Sequence, residues 1–339
     1  MSKFKTAVIL LLIVSLFFAA LIFSGELLKP KYMSGVYDGA MIAEYYDEKY
    51  PHDVIFIGDC EVYENYSPAL LWEKYGITSF IRGSANQLVW QSYYLLEETL
   101  ERETPQMVVF NVRALKNEAV NNEAYNRMTL DGMKLSKYKI ASVRESLTEG
   151  ESFISYLLPV FRYHSRWSEL NGEDFEYLFK KDKVTVAGYL MNTDIVPLKT
   201  LPKKPDLDDY SLDSKCMEYL DKIRILCEDK GVTLVFVKSP CPFPFYYDEW
   251  NEQITAYAEE YGIDFYNFME CQDDIGIDLN TDSYDGGPHL NLYGAEKLTD
   301  YFGGILSRNY VFPDHSLDTE LQTEWSEKLD LYNTLKKVR

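Results

Sequence analysis

Positive charge is scarce in this 339-residue chain: Lys and Arg total 34 against 54 Asp and Glu, a formal net charge of −20. Nucleic-acid binding needs basic patches to neutralise phosphate, so that partner is excluded. The same deficit counts against anionic cell-wall polymers, unless basic residues gather at a cleft. Histidine is scarcer still, at four residues, so a His beside other reactive groups is informative. The five cysteines, at 60, 216, 227, 241 and 271, form no Cys-x-x-Cys pair and no zinc-ligand spacing. Cys216 and Cys227 fall about three turns apart on one expected helix and cannot pair. An odd count leaves a free thiol, and Cys60 is the natural candidate. No repeat period is present, and no metal or cofactor motif is found.

Long apolar runs are also few. One stands at the N-terminus: Lys3 and Lys5 precede 17 residues from Ala7 to Phe23, interrupted only by Ser15. That is the short end of membrane-spanning length and long for a signal peptide, and no small-x-small cleavage site follows. Residues 1–25 are expected to form a signal anchor, a transmembrane helix holding the body outside the cytoplasmic membrane. Lys29 and Lys31 beyond the run leave the positive-inside signal weak.

The body alternates strand and helix patterns. Strands are expected at 53–57, 78–81, 107–112, 232–238 and 263–267, and helices at 68–75, 88–103, 214–229, 248–261 and 292–306. Met41 to Tyr50 reads as a polar, Tyr-rich helix. The run Val232-Thr233-Leu234-Val235-Phe236-Val237 has almost no polar alternation, the mark of a strand buried on both faces of a parallel sheet. The fold class is α/β, a doubly wound parallel sheet. Ligands bind such sheets at the C-terminal strand ends, where Cys60, Asn111 and Ser239 fall. Residues 33–115 and 214–310 make this domain. Residues 116–213 form a long, mostly helical insertion, with an Asn-rich stretch (Asn117, Asn121, Asn122, Asn126) and a Pro/Lys/Asp-rich return over 197–210. An insertion this long usually covers or shapes a site. The tail, 311–339, is polar and is expected to pack loosely or not at all.

Two segments carry the chemistry. Val54-Ile55-Phe56-Ile57 is a short buried strand that runs into Gly58-Asp59-Cys60. A nucleophile at a strand end just before a helix is exposed at the rim of a sheet, where amide N–H groups stabilise a thiolate or an oxyanion. The bland alternative is a core cysteine. Near the other end, Asp285-Gly286-Gly287-Pro288-His289 precedes a helix and puts an Asp and a His on one Gly-rich loop. Nucleophile first and Asp–His last is an order used for acyl transfer.

Together the segments resemble the SGNH/GDSL hydrolase superfamily, whose fold is flavodoxin-like. Gly58-Asp59-Cys60 matches its Gly-Asp-Ser block, with Cys60 at the nucleophile position. Gly83 matches the oxyanion-hole glycine, and Asn111 is the candidate for the oxyanion-hole Asn, although the usual Gly-x-Asn-Asp is absent. His289 matches the catalytic base. Three residues separate it from Asp285 where the family has two; Gly286 stands at the expected Asp position, and Asp282 is an alternative partner. The long intervening region looks like membrane-anchored envelope members, such as alginate O-acetyltransferase-like proteins and the D-alanine transfer protein of teichoic acids. The resemblance implies action on a cell-envelope polysaccharide or acylated polymer, without a cofactor or metal, beside a membrane-bound O-acyltransferase.

Weaker substrate-binding candidates are Asp59, Gln87 and Arg113 near the cleft, and His164, Arg166 and Trp167 in the insertion. A Trp stacks on sugar rings and an Arg forks carboxylate or phosphate; the plain alternative is an ordinary helix face. His52 and His315 are expected at the surface. Two functions remain: a membrane-anchored acyl transferase or esterase working through Cys60, His289 and Asp285, or a binding or scaffold protein that kept the fold and lost the chemistry.

Overall fold

A computed structural model describes residues 3–29, 39–116, 121–179 and 183–338; Lys31, Asn117 and the extreme ends fall outside them. Five parallel strands lie in the order β2-β1-β3-β4-β5. They are β1 (Val54–Gly58), β2 (Ser79–Gly83), β3 (Met107–Asn111), β4 (Thr233–Lys238) and β5 (Asp264–Asn267). This is the flavodoxin-like order of a doubly wound sheet, as the alternation predicts, and its crevice opens where β1 meets β3.

The strand sequences account for burial on both faces. Side chains alternate along a strand, so Val54 and Phe56 point one way with Val109, Val235 and Val237. Ile55 and Ile57 point the other way with Val108, Phe110, Leu234 and Phe236. The helices Val89–Arg102, Ser214–Lys230 and Asp248–Tyr261 cover one face. Pro68–Tyr75 and Leu292–Asn309 cover the other. Local chemistry sets their ends. Ser67 accepts from the Leu70 N–H at 3.3 Å, Pro68 opens that helix, and Gly76 closes it at φ 65°. Gly231 closes the helix before β4 at φ 67°.

Several regions depart from the sequence reading. The Tyr-rich segment is helical only over Ala40–Glu44, with a 3-10 turn over Tyr45–Asp47. The tail is not loose. Thr319–Val338 is a 20-residue helix that buries Leu321, Trp325 and Tyr332, and Trp325 stacks on Trp72 with centroids 5.4 Å apart. These apolar residues are spaced one and then two turns apart, which draws one face of a polar helix onto the body. His52 is also buried, and His315 is half-buried because its Nε2 meets Asp53 at 2.9 Å.

Lys3–Leu28 is a 26-residue helix, long and apolar enough to cross a membrane. The insertion is not mostly helical: among the described residues, short helices run only between Glu123 and Tyr177, and this part grips the helix's C-terminal end. A Cβ on Gly25 would lie 3.3 Å from the Val160 nitrogen, and Arg166 Nη1 donates to the Leu28 carbonyl at 2.7 Å. The insertion then returns in extended form beside the sheet: the Leu190 N–H meets the Tyr63 carbonyl at 2.8 Å, and the Val196 N–H meets the Ser283 carbonyl at 2.8 Å.

Candidate active site

The site begins with a sharp strand-to-helix turn. Gly58 ends β1 at φ 153°, and a Cβ there would sit 2.8 Å from the Asn111 Cβ. Asp59 then caps the short helix Cys60–Asn65, accepting from the Glu61 N–H at 3.1 Å. Cys60 is the first residue of that helix and is 7% exposed. Gly83 lies beside this turn; a Cβ would be 2.6 Å from a Val62 methyl and 3.1 Å from the Gly58 carbonyl. The close approach of two backbones requires glycine at Gly83.

A cation meets the sulfur. Arg113 Nη1 lies 2.9 Å from both Cys60 Sγ and Asp59 Oδ2. Burial alone would weaken the guanidinium's hold on its proton, but Asp59, Cys60 and Glu61 raise its pKa. Behind it lies a buried brace. Lys238 Nζ donates to Glu61 Oε1 at 2.9 Å, Asn111 Nδ2 donates to Glu61 Oε2 at 2.9 Å, and the Ser239 N–H donates to Glu61 Oε2 at 3.2 Å. Burial pushes the Glu61 pKa up, but Lys238, Arg113 and Asn111 outweigh it and the net shift is downward. Lys116 also faces this cluster: burial and Arg113 lower its pKa while Asp59, Cys60 and Glu61 oppose them.

The His loop closes over the other side of Cys60. His289 Nδ1 lies 2.7 Å from Asp285 Oδ2 and 3.2 Å from Glu64 Oε2, and its ring stacks on Tyr284 at 13°. The His289 N–H also donates to Asp285 Oδ1 at 3.0 Å. Gly286 and Gly287 take φ 82° and 121°, so two glycines absorb the extra residue between Asp285 and His289. Asp282 is engaged elsewhere, 2.6 Å from Lys297 Nζ, which leaves Asp285 and Glu64 as the carboxylates on the imidazole. The loop is tied to the cysteine's helix, since Asn65 Oδ1 accepts from the Leu290 N–H at 2.9 Å and Tyr284 donates to Glu64 at 2.6 Å. Burial would lower the His289 pKa; the bond to Asp285 and the nearness of Cys60 and Glu64 raise it to about 11, while Nε2 has no hydrogen-bond partner among the described residues. Burial also raises the Glu64 pKa, against the pull of His289 and Tyr284.

Other candidates stand apart from the sulfur. Asn111 uses its amide to brace Glu61 and to accept the Arg113 N–H at 2.8 Å, so it supports the cluster and is not positioned by a contact to Cys60. Gln87 is buried and holds its own loop, donating to the Arg82 carbonyl at 3.1 Å and Ser92 Oγ at 2.9 Å. Arg166 clamps the Leu28 carbonyl and pairs with Asp174 at 3.3 Å. His164 contacts the Phe161 carbonyl at 3.3 Å, and Trp167 is 72% exposed. The 3-10 turn His164–Ser168 that carries these three packs against the N-terminal helix. Among the described residues, no group of three or more His, Cys, Asp or Glu is placed to hold a metal ion.

Glu64, Glu61, Lys116 and Lys238 were not singled out from sequence. Glu64 carried a usable signal, because it falls four residues after Cys60 and therefore on the same helix face. Lys238 carried another as a lone cation ending an apolar strand.

Among solved structures, the chain is similar to a candidate lipolytic protein of the G-D-S-L family from Desulfitobacterium hafniense DCB-2. Identity is 13% and the TM-score 0.39, over 75% of this chain and 98% of that one. No family model and no curated protein matches. The likeness is distant at that score, and the fold assignment rests on the strand order.

Proposed function

We propose that the protein is an SGNH-like acyl transferase or esterase that works through a Cys60 thioester. The observation that carries this reading is the setting of His289. Its Nδ1 is held by Asp285 at 2.7 Å and Glu64 at 3.2 Å, while Cys60 is among the groups that raise its pKa. An imidazole fixed on one nitrogen by carboxylate, its other nitrogen without a hydrogen-bond partner among the described residues and a thiol nearby, supports the reading of an activated nucleophile.

The raised pKa sets the order of proton transfers. At neutral pH His289 is an imidazolium, so it enters the reaction as the acid. The Cys60 sulfur attacks the acyl carbonyl carbon and a C–S bond forms. Arg113 Nη1, 2.9 Å from the sulfur, and the backbone N–H groups of Cys60 and Gly83 are the donors assigned to the developing oxyanion in this reading. When the tetrahedral centre collapses, the C–O bond breaks and His289 gives its proton to the departing alcohol. A second hydroxyl, or water, then attacks the thioester and yields its proton to His289. The C–S bond breaks, the sulfur leaves, and with His289 carrying its proton again the starting state is restored.

The acidic chain favours a neutral acceptor hydroxyl of an envelope glycan over a polyanion. The N-terminal helix would hold the body at the extracytoplasmic membrane face, beside a membrane-bound O-acyltransferase that supplies the acyl group. The test is direct. Incubation with p-nitrophenyl acetate should leave one hydroxylamine-labile acyl group on Cys60, located by peptide mass mapping, and His289→Ala should suppress it. A second reading, a scaffold that binds without chemistry, draws on the near-complete burial of Cys60 and the guanidinium over its sulfur. Acylation of Cys271 with none on Cys60 would decide for the scaffold.

A further inference from the structure

A cavity of about 770 Å³ lies between the N-terminal helix and the insertion. One wall is Phe18 and Ile22 of the helix, and the facing wall includes Ile154, Leu157, Leu158 and Leu178. Its other end, where Glu26 and Lys29 close the helix, is polar and carries four carboxylates and four lysines, among them Asp47, Asp131, Lys134 and Lys139. Phe18 lies ten residues before Leu28, about 15 Å along the helix axis. A membrane's hydrocarbon core is about 30 Å thick, and the helix is about 39 Å long. With this helix across a bilayer, Phe18 and Ile22 stand at the depth of acyl chains in the leaflet nearest the body. The apolar end of the cavity would open among lipid tails and its polar end would sit at headgroup level.

The polar end holds an incomplete charge set. Asp131 is paired with Arg127 at 3.2 Å, and Glu26 with Lys29 at 2.7 Å. Glu44 accepts from the Val184 N–H at 2.6 Å and from Thr185. Lys134 lies over the Tyr46 ring at 4.5 Å. Lys139 is 6% exposed, and among the described residues its ammonium has one hydrogen bond, to the Met133 carbonyl at 3.2 Å, and no carboxylate in direct contact. Burial lowers its pKa to about 8 against the charges of Asp131 and Glu26, so an anion brought into contact with it would offset that desolvation. The insertion next to the cavity also exposes Phe161, Trp167, Phe175 and Phe179, side chains suited to a lipid interface.

We infer that this cavity binds one anionic phospholipid from the adjoining leaflet, its acyl chain between Phe18, Ile22 and Leu157 and its phosphate on Lys139. The inference rests on the membrane-anchored reading and is independent of the chemistry at Cys60. The full chain is reconstituted into bilayers of phosphatidylcholine with a small fraction of phosphatidylglycerol, then released for native mass spectrometry. One phosphatidylglycerol per chain should be retained, enriched about tenfold over its share of the bilayer. Lys139→Met, which keeps the stem, should abolish the enrichment, and Ile22→Trp, which fills the cavity from the helix side, should abolish retention. Ile22→Trp alters no residue of the body, so its result stands even if Lys139→Met fails to fold. Equal retention of both lipids, or retention unchanged in the variants, would overturn the proposal. Flotation of the same vesicles separates the two readings: a chain that does not float removes the anchor and the lipid site together, whereas one that floats without enrichment removes the lipid site alone.

Discussion

The two ends of the sheet each hold a histidine between carboxylates, and they differ in what is left for each ring to do. Before β1, His52 is pinned on both nitrogens, Nδ1 to Glu103 at 3.1 Å and Nε2 to Glu48 at 3.4 Å. Lys328 of the tail helix closes the same cluster through Glu48. After β1, Asp285 and Glu64 both approach Nδ1 of His289, and Nε2 has no carboxylate. A histidine with both nitrogens on carboxylates fastens chain segments together. A histidine with one nitrogen held and the other without a hydrogen-bond partner keeps a site from which a proton can move. The contrast lies in what each nitrogen faces, since burial and raised pKa are common to both.

The sharpest way to break this contrast is to remove each ring in turn. His289→Ala should slow acylation of Cys60 by an activated ester by about 10²–10⁴-fold, the usual range for losing a general acid–base group. Its denaturant midpoint should change little. His52→Ala should do the reverse, destabilising the fold by about 3–5 kcal/mol through stranded Glu48 and Glu103, with per-molecule acylation in the folded fraction unchanged. If both variants lose rate and keep stability, the division between the two ends is wrong.

Titration tests the same division. Burial alone would lower the His52 pKa; Glu103 and Glu48 raise it above 6.5. Its stabilising contribution is therefore complete below that value and fades as pH climbs through the raised folded pKa. Burial would raise the Glu48 pKa, but His52 and Lys328 bring it from 4.5 down to about 2. That contribution is present above 4.5 and is lost as pH falls toward 2. Equilibrium unfolding across pH should show both limbs, and Glu48→Gln should flatten the acid one.

A smaller effect distinguishes the two carboxylates on His289. Asp285→Asn should slow acylation about tenfold to a hundredfold and Glu64→Gln by less, because Asp285 is nearer and also receives the backbone N–H of His289. Equal losses would make the pair a single shared acid. The smallest difference is one of thiol order. Burial pushes up the Cys216, Cys227 and Cys241 thiols, so iodoacetamide should reach Cys60 before these three. Cys271, more exposed, is the rival to separate by mass mapping.

Much of the sheet was legible in the sequence because each strand carries its own burial pattern. Asp248–Tyr261 and Pro68–Tyr75 fall where turn residues and caps place them. The tail was misread because its apolar face comprises only a few residues in a polar helix, and their partner, Trp72, lies far away in sequence. The same applies to His52: a Pro-His-Asp turn looks exposed until Glu103 and Lys328 arrive from distant segments. At the candidate site, Cys60, Asp285 and His289 stood out through local context. Arg113 came only as a weak guess, since the direction of a side chain after β3 depends on tertiary contacts. Glu61 and Lys238 neutralise each other across two strand ends, a relation that neither segment encodes alone.

The clamp on the N-terminal helix changes what that helix does mechanically. A chain hung from a flexible leader sweeps a hemisphere and meets acceptors at any height within its reach. Here Arg166 holds the Leu28 carbonyl and Gly25 lets Pro159 and Val160 lie flush against the helix. The helix acts as a mast fixed to its platform. With the mast upright in a bilayer, the Cys60 crevice would keep to one altitude, and on the proposed activity an acceptor hydroxyl would have to come to that altitude.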